Sequence, residues 1–73
     1  MASPIFQRFI KRFVVQVRRS ELGAWQDEAA FGSYSAAEAY VRQTLRANPR
    51  LQAGRVVDRV TGQAGAVIEA PAG

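Results

Sequence analysis

Between Ile5 and Phe13 the apolar residues fall at Ile5, Phe6, Phe9, Ile10 and Phe13, with Gln7, Arg8, Lys11 and Arg12 between them. That spacing predicts a helix with one apolar and one basic face. Ser3 and Pro4 supply its N-cap and a first residue whose missing N–H is harmless there. At Phe13 the period shortens. Phe13, Val15 and Val17 alternate with Val14, Gln16 and Arg18, and the β-branched content predicts a strand over residues 13–19. "SELG" turns the chain at Gly23, and "AWQDEAAF" reads as a second strand with Trp25, Ala29 and Phe31 on its inner face. Asp27 falls on that same face, so the strand is either bulged or short.

"GSYSAAEAYVRQTLRANP" carries the clearest element. Ser35 and Glu38 have the spacing of a capping box, and Ala37, Tyr40, Val41, Thr44 and Leu45 form one apolar stripe. Asn48-Pro49 ends the helix. Glu38 and Arg42 form an i,i+4 pair, and Arg42 and Arg46 continue as a basic row that reads first as a solvated face. "GRVVDRV", "TGQAG" and "AVIEA" then close the fold. Val56 and Val60 alternate with Val57, while Val67 and Ile68 supply a last short strand.

Strands joined by short turns pair as antiparallel hairpins, and neither a sheet nor a helix buries its apolar side alone. The prediction is therefore an α+β fold. It is a small two-layer ββαββ domain, an antiparallel sheet with one helix packed on it, plus an amphipathic N-terminal helix. The divisions are residues 1–12 as a basic amphipathic arm or helix, 13–70 as the single domain and 71–73 as a frayed tail.

The glycines of "TGQAG" have the spacing of a phosphate-cradling loop, but such a loop leads from a strand into a helix and adds a lysine. The nucleotide-clamping G-x-x-G loop joins two helices. Here the stretch joins two strand-like runs and has no lysine, so a hairpin turn with glycines at positive φ is the expectation.

A chain of 73 residues makes one domain at most, and its core is modest. Self-association is one way to extend that core. With no cysteine and no histidine, the chain lacks disulfides, thiol nucleophiles, the usual zinc ligands and the usual base near neutral pH. Asp27, Glu28, Asp58 and Glu69 are carboxylates without an evident pocket to tune them, and Asp58 is expected in an ion pair or capping the hairpin. No catalytic residue, metal or cofactor is expected. Without a bilayer-length apolar run or a secretory signal pattern, a soluble, cytoplasmic protein is the expectation.

Charge changes the picture most. Ten basic residues stand against six acidic ones, and Arg8, Lys11, Arg12, Arg18 and Arg19 precede the first acid. Such asymmetry suits an anionic partner, although nine arginines to one lysine also fit a coding bias. The interleaving of cations and aromatics in this segment is the best functional signal. The first expectation is a non-enzymatic module binding nucleic acid, with little sequence preference, through Arg8, Lys11, Arg12, Arg18 and Arg19. Arg42 and Arg46 extend that surface if the fold brings them near. Next comes a protein–protein module, an adaptor, inhibitor or accessory subunit, that docks on a protein with an acidic face. It uses Phe6 and Phe9 or an open sheet edge. A membrane surface is third.

Three resemblances bear on this. "RVVDRVTG", with the upstream tryptophan and "AEAYVRQTLRANP", is similar to short bacterial proteins of no known activity, which implies a small sheet-plus-helix fold. "FVVQV" followed by "FGSYSAAEAYVRQTL" resembles the first half of a SPOR domain, a peptidoglycan-binding module, without its second half and with residues 18–32 inserted. No glycan-binding residue is carried over. The tryptophan and "FGSYSAAEAYVR" also resemble the last strand and helix of small domains that bind DNA at the arms of phage integration sites. That likeness implies a nucleic-acid partner.

Overall fold

The computed structural model describes residues 11–71. The predicted N-terminal helix, with Phe6, Arg8 and Phe9, lies outside them. The elements run β1 (Phe13–Arg18), β2 (Gln26–Phe31), α1 (Tyr34–Ala47), β3 (Ala53–Asp58) and β4 (Ile68–Glu69). The strands form one antiparallel sheet in the order β2-β1-β3-β4, with α1 packed on it. This is the α+β arrangement expected from the pattern.

The order follows from the connections. β1 and β2 form a hairpin whose turn closes with the Gly23 N–H donating to the Ser20 carbonyl at 2.9 Å. α1 then carries the chain over the sheet, so that β3 joins the other edge of β1. β2 and β3 consequently run in the same direction on either side of β1. The core lies between α1 and the row Val15, Val17 and Val56, where Ala37, Val41 and Leu45 of the helix meet them with Leu51. Phe13 edges onto Tyr34 at 5.8 Å, and Phe31 tilts onto Tyr40 at 5.2 Å, closing both flanks of the helix.

Gly54 decides how closely the helix lies. It sits opposite Val17 in the register, and a Cβ placed on it would come within 2.6 Å of the Val41 methyl. Only a residue without a side chain lets α1 settle so deeply.

Several details differ from the sequence reading. The N-cap is Ser33, not Ser35: its backbone is extended and its Oγ accepts from the Ala36 N–H at 3.2 Å. Three residues on from Ser33 stands an alanine, so no capping box forms. Asn48 ends the helix as expected. Among the described residues the single ion pair is Arg12–Asp58, so the Glu38–Arg42 pair is not made. β3 ends at Asp58, which leaves Val60 exposed in the turn rather than alternating with Val57. "TGQAG" is a turn, but its glycines act differently. Gly62 has φ of 77°, the left-handed region, whereas Gly65 avoids a contact of 3.0 Å with the Tyr34 hydroxyl.

Candidate nucleic-acid interface

Alternation along β1 sends Phe13, Val15 and Val17 toward α1 and Val14, Gln16 and Arg18 to the opposite face. The register carries this parity into β3, where Gln16 faces Arg55. In β2 a bulge interrupts it. Ala29 pairs with Val15 and Asp27 with Gln16, so Glu28 has no partner of its own. The strand is thus bulged, one of the two alternatives its pattern allowed. The extra residue moves Asp27 to the face away from the helix while Ala29 and Phe31 stay on the core side.

Trp25 follows Asp27. It precedes β2 and lies over that outer face rather than on the inner face expected for it. The Cζ of Arg55 is 4.3 Å from its ring centre, and the Cζ of Arg18 is 4.6 Å away. Both distances are within cation–π range, where each contact contributes on the order of 0.5–1 kcal/mol at an exposed site. The two arginines are held from behind. Arg18 Nε donates to Gln52 Oε1 at 2.8 Å, and Arg55 Nε donates to Gln16 Oε1 at 2.9 Å. Gln16 in turn donates from Nε2 to Asp27 Oδ1 at 2.9 Å, which completes a row across three strands. Each guanidinium has five N–H donors, and these bonds occupy only the one on Nε. Among the described residues the terminal nitrogens of Arg18 and Arg55 make no hydrogen bond, and α1 packs on the opposite face of the sheet.

The basic residues expected to act together are dispersed. Arg18 belongs to the cluster just described. Arg19 and Lys11 are exposed beyond the two ends of β1. Arg12 is engaged by Asp58, with Nε donating to Oδ1 at 2.8 Å and Nη2 to Oδ2 at 2.7 Å. Arg42 and Arg46 stand on α1, where with Leu45, Ile68, Glu69 and Pro71 they line a cleft of about 360 Å³. The sheet separates them from Arg18. Sequence reasoning missed Trp25, Arg55, Gln16 and Gln52 as members of one site. The signal for the first two was Asp27, whose awkward parity marks the bulge, and the even spacing from Ala53 to Arg55 opposite the valines.

Asp58 does both things expected of it, but its ion-pair partner is Arg12, 46 residues away, rather than neighbouring Arg55 or Arg59. Its Oδ1 also accepts from the Val60 N–H at 2.8 Å, which caps the turn. The hydrogen bonds from Arg12 are the chief reason its pKa falls to about 2; desolvation opposes them, and the Val60 N–H, the charge of Arg12 and the Thr61 N–H assist. Arg12 is raised for the same reason. A carboxylate with a depressed folded pKa stabilises above its unfolded value, near about 4, and that contribution is lost as the pH falls toward the folded value. Thermal melts should therefore show Asp58→Asn less stable than the unmodified chain at pH 6. The gap should shrink between about pH 4 and pH 2, and a gap independent of pH would contradict the ion pair.

Among the described residues no group of three or more acidic side chains is placed to hold a metal ion, and no helix is long and apolar enough to cross a membrane. Comparison with protein-family models, with curated proteins and with solved structures finds no match to this chain.

Proposed function

We propose that the protein is a non-enzymatic binding module for nucleic acid, with little sequence preference and a cytoplasmic site of action. The observation that supports this most is the pair Arg18 and Arg55, both on Trp25 and both on the sheet face turned away from the helix. Clustered guanidiniums with unused donors bind phosphate oxygens in a forked geometry, and the adjacent ring offers a surface for a base. Asp27 on the same face is already taken up by Gln16. Arg19 and Lys11 supply further charge for phosphates that run past the cluster.

Contacts of this kind release counterions, so affinity should fall steeply with salt. Fluorescence anisotropy of labelled oligonucleotides, repeated across a salt series, should give a log–log slope equivalent to roughly three to five neutralised phosphates. Absence of binding at low salt would end this reading.

A second reading has its own observation. β2 is a six-residue edge strand, and Leu22 is fully exposed at the tip of the turn leading to it. An added strand from a partner protein would pair there. The bulge at Glu28 and the acidic Asp27 and Glu28 work against it, since both features blunt an edge.

A further inference from the structure

We propose that the outer sheet face is a stacking platform for single-stranded nucleic acid, with Trp25 as the residue that discriminates it from duplex. This rests on the nucleic-acid reading above and names the form of the ligand. An aromatic ring recognises a base only through the base's flat face. In a duplex those faces are already stacked on one another, whereas in a single strand they are open. Among the described residues the surface around Trp25 is the face of a sheet, without a helix or ribbon projecting from it to enter a groove.

The arginines complete the arrangement. Arg18 and Arg55 are diagonal neighbours on adjacent antiparallel strands, which places them about 7–8 Å apart at the backbone. Both converge on one ring, so each reaches a phosphate flanking the base that stacks there. Gln52 and Gln16 hold the two Nε atoms, and the terminal N–H groups donate to phosphate oxygens without reorganising the side chains. A base settles on the layer formed by the indole and the guanidinium planes, both of which stack with bases. Because every base has such a face, the platform is tolerant of sequence.

The chain has one tryptophan, so its fluorescence reports on this site alone. The test titrates the full chain with oligo-dT and with a duplex of equal length at one low salt concentration. The single strand should bind more tightly and quench the tryptophan saturably. In parallel anisotropy titrations, Trp25→Ala should weaken single-strand binding on the order of tenfold or more and duplex binding by a much smaller factor, the one that freeing Arg18 and Arg55 from the ring costs. Trp25→Phe, which keeps a ring, should recover part of the loss, and a melting curve of each variant checks that the fold is kept. Equal affinity for both forms, with Trp25→Ala binding as the unmodified chain does, would overturn the platform and leave the broader reading standing. No binding of either form would remove both.

Discussion

Replacing Gly54 by alanine should lower the melting temperature, by up to roughly 20 °C, and Gly54→Val should leave little folded protein at 37 °C. The added Cβ would meet the Val41 methyl at 2.6 Å, about 1 Å inside ordinary carbon–carbon contact. Val41 has no way to give. It is fully buried, and its branched side chain has one strongly preferred rotamer in a helix. α1 must therefore move off the sheet, opening contacts along Ala37, Val41 and Leu45. Overpacking of this kind costs about 1–3 kcal/mol. It outweighs the 0.5–1 kcal/mol or so that alanine contributes by stiffening the unfolded chain. For a domain of this size, total stability is on the order of 4–11 kcal/mol. Each kcal/mol shifts the midpoint by about 4–8 °C. An unchanged or raised midpoint in a thermal melt followed by circular dichroism would mean that the helix rides higher than described.

Gly54 also marks where the sequence stops being legible. The helix was readable because Ala37, Val41 and Leu45 recur at its period and Asn48-Pro49 stops it. Its start was not, since Ser35 and Glu38 have the spacing of a capping box that the fold does not use. What selects Ser33 is tertiary: starting at Tyr34 brings that ring against Phe13. The two hairpins were local and readable. The β1–β3 pairing joins residues about 40 apart and depends on which edge of β1 the helix delivers β3 to. Gly65 was read as a turn glycine when its role is to clear Tyr34, a contact between distant segments.

The candidate site was legible in its ingredients and not in its grouping. Arg18 stood out by charge alone. Arg55 and Trp25 reach it only through the register of β3 and the bulge at Glu28, and one extra residue in β2 turns the tryptophan from an expected core residue into a surface one. The even row of arginines on the helix was more conspicuous in the sequence, yet the sheet separates Arg42 and Arg46 from Trp25. Arg12 looked as available as Arg18 until Asp58 claimed it through the fold.

That grouping gives the second large effect. Arg18→Ala with Arg55→Ala should reduce affinity for a single strand by about a hundredfold at low salt. Each lost charge-assisted contact accounts for about tenfold, on the order of 1.5 kcal/mol. The salt slope should fall as well, since about two fewer phosphates are neutralised. Arg42→Ala with Arg46→Ala removes the same formal charge from the far side of the sheet, and it should cost only the small effect of a changed overall field. Neither pair lies in the core, so a melting curve should find both variants folded.

The most direct test is therefore to titrate one labelled oligonucleotide, by anisotropy at a single low salt concentration, with the unmodified chain and both double variants. Affinity lost with Arg18 and Arg55 but retained without Arg42 and Arg46 is the expected result. Equal losses from the two pairs, or the larger loss from the helix pair, would contradict binding at the outer sheet face.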